Sequence, residues 1–90
     1  MISFDPDKGK ANIKKHGVSL AKAELMEWDE AFTWQDDRRD YGEVRLVALA
    51  PIDDRLYCCV YVERGVDKRI ISLRKANNRE KVLYASISDD

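Results

Sequence analysis

The side chains of this chain that could do chemistry fall into two groups, one able to move protons and one able to hold an anion. The proton-transfer candidates are His16, Tyr61, Glu63 and Lys75. The anion-binding candidates are cationic and lie in the last third of the chain: Arg64, Arg69, Arg74, Lys75 and Arg79. Arginine matches a phosphate group with two parallel N–H donors, so this set predicts a phosphate-binding surface.

Among the candidates, Arg74 and His16 have the most specific positions. Arg74 ends a predicted strand just before a predicted helix start, and helix starts favour anions. The alternative for Arg74 is a solvated surface position. His16 is the only imidazole, and its ordinary pKa suits acid–base work near neutral pH. A histidine before Gly17 also stabilises a helix C-terminus whatever the function, so both interpretations stand.

For Glu63 and Tyr61 a purely structural role competes with a chemical one. Glu63 can pair with Arg64 or Arg69 as an ordinary strand salt bridge. Tyr61 can stack on a nucleic-acid base, whereas a strand tyrosine is more often part of the packing.

The positive charge is local. The chain has 16 Lys and Arg against 17 Asp and Glu, a net charge of −1 that excludes a uniformly basic nucleic-acid coat. Residues 24–43 hold eight acids and two arginines, whereas residues 68–81 hold six bases and one acid. A local basic patch of this kind can hold a phosphate backbone without overall positive charge.

Neither metal nor cofactor is expected. Cys58 and Cys59 are adjacent within a predicted strand and therefore point to opposite faces, which favours two reduced, buried thiols. Two cysteines and one histidine make a poor zinc site.

Ninety residues predict one domain over 1–90. No apolar run approaches the roughly 20 residues that span a bilayer, and the N-terminus turns polar by residue 5, so we expect a cytoplasmic protein without membrane contact.

Two helices are predicted at the N-terminus. Asp5 as N-cap and Pro6 at the first helical position begin the first, and Gly17 follows its end. Ser19 caps the second, which its apolar spacing extends to about Trp28.

Four strands and a last helix follow. The strands are predicted at Ala31–Gln35, Glu43–Ala50, Arg55–Arg64 and Asp67–Arg74, and Met1–Phe4 is a further candidate for a short edge strand. Asn77 and Glu80 then form the capping box of the last helix, to which Val82, Leu83 and Ile87 give an apolar side. The order predicts an α+β domain: two helices, an antiparallel four-stranded meander and a C-terminal helix.

A symmetric turn at Gly65-Val66 predicts the register of the last two strands. It pairs Val60 with Ile71 and Cys58 with Leu73, an apolar set expected to face the helices. It also gives the pairs Tyr61–Ile70, Cys59–Ser72 and Tyr57–Arg74, a mixed set expected to form the functional face.

Several stretches together carry a resemblance to one known family. In order they are Phe4-Asp5-Pro6 with Lys8 and Asn12, Lys15-His16-Gly17-Val18, Tyr41-Gly42-Glu43 with Arg45, Tyr61 with Glu63 and Arg64, Arg69-Ile70-Ile71-Ser72, Arg74-Lys75-Ala76, and Arg79-Glu80. With these stretches the chain resembles the BrnT toxins of bacterial type II BrnT–BrnA toxin–antitoxin systems. The sequence departs from its relatives at Asp29-Glu30, where they often have Asp-Pro, and in its short acidic tail.

The resemblance implies a RelE-like fold and a metal-independent ribonuclease that arrests translation. It also implies a BrnA-like antitoxin with a DNA-binding domain, so that operator DNA is bound only through the complex. In such a ribonuclease Arg74, Lys75, His16, Glu63 and Tyr61 are the catalytic candidates, and Arg64, Arg69 and Arg79 the RNA-phosphate-binding ones. The alternative is a non-catalytic RNA- or protein-binding module on the same scaffold.

The strand predicted at 43–50 is a second reason to expect a protein partner. Val44, Leu46 and Ala48 alternate there with Val47 and Leu49, so both sheet faces carry apolar residues. A chain with few helices leaves part of this surface for another chain. We therefore expect a hetero-complex, with room for a toxin dimer within it.

Overall fold

The computed structural model describes residues 1–88 and is built around a five-stranded sheet of order β1-β5-β4-β3-β2. The strands are β1 (Ile2–Ser3), β2 (Phe32–Asp36), β3 (Arg45–Ile52), β4 (Arg55–Arg64) and β5 (Asp67–Lys75). The helices are α1 (Pro6–His16), two 3₁₀ helices (Leu20–Leu25 and Trp28–Glu30) and α2 (Asn78–Ser88). Strands β2 to β5 form an antiparallel meander, and β1 pairs in parallel with β5.

The α+β class is confirmed, with two corrections to its details. The sheet has five strands rather than four, because Ile2–Ser3 pairs with Lys68 and Arg69. The second N-terminal helix is a 3₁₀ segment that ends at Leu25 instead of an α-helix that reaches Trp28. The buried residues Leu20 and Ala23 within it and Met26 just after it recur every three positions, which is the repeat of a 3₁₀ helix.

Both predicted ends of α1 are confirmed. Asp5 Oδ1 accepts a hydrogen bond from Asp7 N at 2.8 Å, and Pro6 begins the helix. Gly17 adopts the left-handed conformation (φ 72°), and its N–H donates to Ile13 O at 2.8 Å. These caps fix where α1 stops, and so where His16 stands.

The predicted register of β4 and β5 is correct only near the turn. Tyr61 pairs with Ile70 as expected, but a β-bulge follows and shifts the register by one residue. Beyond the bulge Cys59 pairs with Leu73, and Cys58 with Arg74. Because side chains alternate along a strand, this shift overturns the predicted division of the two faces.

Each sheet face carries its own hydrophobic cluster. The larger cluster contains Leu20, Leu73, Tyr57, Cys59 and Tyr61, three of which had been predicted to lie on the functional face. The smaller one contains Val47, Leu49, Cys58 and Ala76, with Trp34, Leu56, Val60 and Tyr84 packed against it. Cys58 and Cys59 are both free and buried and lie on opposite faces, as predicted.

Part of the apolar surface of β3 was expected to bind a partner protein, but most of it is covered by other parts of this chain. Val47, Ala48 and Leu49 are buried, and Val44 alone of the strand's predicted set is classed as exposed. On α2, three large apolar side chains are exposed: Val82, Leu83 and Ile87. None of the helices in this range is long and apolar enough to cross a membrane.

Asn12 closes the outer edge of β5 beyond the reach of β1. Its Nδ2 donates to Leu73 O at 2.7 Å and to Val18 O at 2.8 Å, and its Oδ1 accepts from Leu73 N at 3.2 Å. The amide thus stands in for a neighbouring strand, which ties α1 to the sheet just before Arg74. Apart from its place in the family resemblance, nothing in the local pattern distinguishes Asn12 from other polar helix residues, because its partner Leu73 is 61 residues away.

Replacing Asn12 with Ala is expected to lower the free energy of unfolding by about 2–3 kcal/mol, since it leaves buried backbone groups of Leu73 and Val18 without partners. Urea denaturation measures this loss. Lys14→Ala, at an exposed position of the same helix, should change stability by less than about 0.5 kcal/mol. Equal stability of the two variants would contradict the edge-closing role.

Candidate active site

A cleft of about 210 Å³ opens on the sheet face that carries the smaller cluster. Two ion pairs line it, Arg74 with Glu80 and Arg38 with Asp36. The rest of its lining is Trp34, Gln35, Asp37, Val47, Cys58 and Val60. The cleft therefore combines an apolar floor with two guanidinium groups, each paired with a carboxylate, and the carboxylate of Asp37 lines it as well.

Arg74 reaches the cleft from the end of β5 and is held by Glu80 of α2. Its Nη1 and Nη2 donate to Glu80 Oε1 and Oε2 at 2.7 and 2.9 Å, and Nη1 also donates to Lys75 O at 3.3 Å. This hydrogen bonding from Arg74 is the main cause that holds the pKa of Glu80 below its usual value. The carboxylate therefore stays ionised and fixes the orientation of the guanidinium.

Glu80 also completes the predicted capping box. Asn77 N donates to Glu80 Oε1 at 2.9 Å, and Glu80 N donates to Asn77 Oδ1 at 2.8 Å. Two N–H groups of the helix start are thus already satisfied. The expectation that free amides at this helix start hold the phosphate is wrong for Asn77 and Glu80, and the anion-binding capacity of the junction lies in its side chains.

Asp36 and Arg38 form the other wall of the cleft. Arg38 Nε and Nη2 donate to Asp36 Oδ1 and Oδ2, both at 2.8 Å, and Tyr41 Oη donates to Oδ2 at 3.2 Å. The hydrogen bond from Arg38 is the main cause that lowers the pKa of Asp36 to about 2. Although it lies in a run of charged residues, Asp36 is buried, and Arg38 and Tyr41 are bonded to it.

Cys58 lies on the cleft floor close to the Arg74–Glu80 pair. Burial raises the pKa of its thiol to about 11, and the charge of Arg74 only partly offsets this. The thiol therefore stays protonated at neutral pH, which rules it out as a ready nucleophile.

His16 and Lys75 stand near the same end of β5. His16 is half-buried at the end of α1, and its pKa is lowered by burial first and then by the charges of Lys15 and Arg74. Arg74 is thus within electrostatic range of the imidazole. Lys75 is exposed and points to the other sheet face, where it lines a separate depression with Gly17.

Most of the remaining candidates lie away from this end. Glu63 pairs with Lys68, six residues before Arg74 on β5, which corresponds to about 20 Å along a strand. Arg64 is exposed and 3.5 Å from Glu43, and Arg69 is partly buried where β5 pairs with Ser3 of β1. By contrast, Arg79 is exposed in the first turn of α2, next to Glu80.

Tyr61 is part of the core on the face opposite the cleft. Its side chain is buried and meets the Trp28 ring edge-on, with 5.2 Å between the ring centroids. Burial is the main cause that raises the pKa of its hydroxyl to about 12. These surroundings describe a packing residue, the alternative considered for it above.

Sequence reasoning found Arg74 and missed the groups around it. Asp36, Arg38 and Trp34 are distant from Arg74 along the chain, and no spacing rule links them to it. Glu80 was recognised only as a cap, although a glutamate in that position faces the end of the preceding strand. Within residues 1–88 there is no group of three or more His, Cys, Asp or Glu side chains placed to hold a metal ion.

Residues 4–80 match the family described as "Ribonuclease toxin, BrnT, of type II toxin-antitoxin system". No curated protein matches the chain. The matched range includes both ion pairs of the cleft and His16.

Proposed function

Because this chain belongs to the BrnT family of ribonuclease toxins of type II toxin–antitoxin systems, we propose that it is a metal-independent endoribonuclease of RelE-like fold. It acts in the cytoplasm, inhibits translation by cleaving RNA, and is neutralised by a BrnA-like antitoxin. The observation that carries the proposal is the family match over residues 4–80, which spans the cleft with its two arginine–carboxylate pairs.

RNA cleavage without a metal uses the substrate's own 2′-hydroxyl. A base takes the 2′-OH proton, the 2′-oxygen attacks phosphorus, and the bond from phosphorus to the 5′-oxygen breaks as an acid protonates that oxygen. The products carry a 2′,3′-cyclic phosphate and a 5′-hydroxyl. The protein must supply a base, an acid and a cation that stabilises the charge developing on the phosphorane.

Arg74 is the proposed cation. It lines the cleft, and its bidentate pairing with Glu80 fixes the guanidinium before substrate arrives. A preoriented donor costs no reorganisation when the charge on phosphorus rises. Glu80 is accordingly a positioning residue in this proposal.

His16 is the proposed proton-transfer group at the same end of β5. The lowered pKa of His16 keeps its imidazole neutral at pH 7, the form that can accept the 2′-OH proton. Lys75 follows Arg74 but points to the opposite sheet face, so the imidazolium formed on His16 is the candidate acid that returns the proton to the leaving 5′-oxygen. Tyr61 in the core and Glu63 at the far end of the sheet have no part in this scheme.

The other three candidate arginines are proposed to bind phosphate groups of the RNA on either side of the scissile one. Arg64 and Arg79 are exposed, and Arg69 is partly buried. Contacts of this kind position the RNA and make binding salt-dependent without reading its sequence.

The protein partner is proposed to be a BrnA-like antitoxin whose complex with the toxin, including a toxin dimer, binds operator DNA. The exposed apolar side chains of α2 support a protein partner of some kind. Co-purification with the product of the adjacent gene, followed by sizing chromatography, tests this part. Two separate monomers on the column would contradict it.

RNA cleavage by the purified protein is expected to continue undiminished in excess EDTA, because the proposed scheme moves protons and charge through side chains alone. The measurement is the rate of cleavage of a labelled RNA with and without the chelator, with the product ends analysed for a cyclic phosphate. Activity that disappears in EDTA and returns with Mg²⁺ would contradict metal independence. RNA binding without any cleavage would favour the non-catalytic module instead.

A further inference from the structure

The side chain of Arg38 is exposed to solvent, and its guanidinium is bound by the buried carboxylate of Asp36. The Arg38 side chain is 75% exposed, whereas the Asp36 carboxylate that binds it is 2% exposed. Asp36 also accepts hydrogen bonds from Arg38 N at 3.3 Å and from Tyr41 Oη. The guanidinium is thus anchored by a carboxylate that is itself fixed by several donors.

This anchoring leaves Arg38 with donors to spare. A guanidinium carries five N–H groups, and Asp36 takes one from Nε and one from Nη2. The three that remain are on a side chain whose rotamer freedom is already restricted. Such an arginine loses little further entropy when it binds an oxyanion.

Arg38 and Arg74 line the same cleft, so two cations converge on one space. The pKa of Arg74 is raised chiefly by its hydrogen bond with Glu80, and the charge of Arg38 opposes that rise. Two like charges in range of each other are relieved when an anion lies between them. Asp36 and Glu80 offset much of this repulsion and Asp37 also lines the cleft, so a phosphate is held through the spare N–H donors of the two arginines rather than through a net positive charge.

We infer that Arg38 is a second phosphate-binding residue of the ribonuclease, which contacts the scissile phosphate from the side opposite Arg74 and is held there by Asp36 as a positioning residue. This inference rests on the proposed function and adds a residue and a direction of approach to it. The neighbouring Arg39 lies outside the cleft lining and lines a different depression.

Arg38→Ala and Arg39→Ala are a matched pair for the test, because they remove the same charge from adjacent positions of one loop. The probe is a short 2′-O-methyl RNA, which has no free 2′-hydroxyl and cannot be cleaved, and fluorescence anisotropy gives its Kd. Arg38→Ala should raise the Kd about 10- to 100-fold, the effect of losing charge-assisted hydrogen bonds. Arg39→Ala should raise it less than about threefold.

Two further variants separate positioning from folding. Arg38→Lys retains the charge and should restore part of the affinity, and thermal unfolding of each variant checks that the loop survives. Asp36→Asn should weaken binding in the otherwise unchanged protein but have no additional effect in the Arg38→Ala background. An equal effect of Asp36→Asn in both backgrounds would overturn the positioning role.

The outcomes also distinguish this inference from the proposed function. If the wild-type protein cleaves RNA and Arg38→Ala binds the probe as tightly as Arg39→Ala, the assignment of Arg38 is overturned while the ribonuclease stands. A folded wild-type protein that neither binds nor cleaves RNA overturns both.

Discussion

Replacing Arg74 with Gln is expected to lower the rate of RNA cleavage about 100-fold or more, the usual effect of removing one donor to the transition-state charge. Glutamine is preferred to alanine for this test. Arg74 is partly buried and bonded to Glu80. Alanine would leave that carboxylate without its partner and loosen the start of α2, so a loss of activity would have two explanations.

Two companion variants complete the Arg74 test. Arg55→Gln removes the same charge from an exposed position on β4 and should cleave at the wild-type rate. Glu80→Gln retains a capping side chain but loses the ionic hold on Arg74, so kcat should fall by less than it does in Arg74→Gln. A folded Arg74→Gln protein that still arrests growth at full strength would show that the reacting phosphate binds elsewhere.

The sequence predicted best the features that depend on neighbouring residues. Asp5, Pro6 and Gly17 bound α1, and Asn77 with Glu80 begin α2, because caps are formed within one turn of the chain. Strand β4 also has its predicted bounds. In each case the chemistry that sets the boundary lies within a few residues of it.

What could not be predicted depends on contacts between distant residues. The Gly65-Val66 turn does not predict the bulge between Val60 and Tyr61. Because of this bulge Cys59 pairs with Leu73, and both side chains lie in the larger hydrophobic cluster. The short edge strand predicted within Met1–Phe4 is confirmed as β1, but its two residues are too few to show that it pairs in parallel with β5.

The residues of the candidate site also divide into those that local patterns identify and those that depend on distant contacts. Arg74 was identifiable because it ends a strand before a capping box, both of which are local patterns. Asp36 and Arg38 were not, since the sequence around them is a run of charges that resembles any solvated loop. Their place in the cleft follows from the pairing of β2 with β3 and β3 with β4, which brings Asp36 to the same sheet face as Cys58.

Replacing His16 with Gln is expected to lower the cleavage rate by roughly 10²- to 10⁴-fold, the contribution of a well-placed general base. The wild-type rate should fall as the pH drops through the pKa of His16, because the protonated imidazole cannot accept the 2′-OH proton. That pKa is lowered from 6.5, so the acid limb of the pH–rate profile lies below pH 6.5. If Glu80 were the base, its own lowered pKa would place the limb below 4.5.

A substitution of Lys15 provides a control that distinguishes a catalytic His16 from one that only stabilises the helix. The charge of Lys15 is one of the causes that lower the pKa of His16, so Lys15→Gln should move the acid limb to higher pH while the plateau rate at neutral pH stays close to that of the wild type. A histidine that only stabilises the end of α1 would respond differently, because His16→Gln would lower the melting temperature and leave the pH profile of the remaining activity unchanged. The shift of the limb in Lys15→Gln, measured with single-turnover kinetics from pH 4 to 8, therefore decides whether the imidazole takes part in the chemistry.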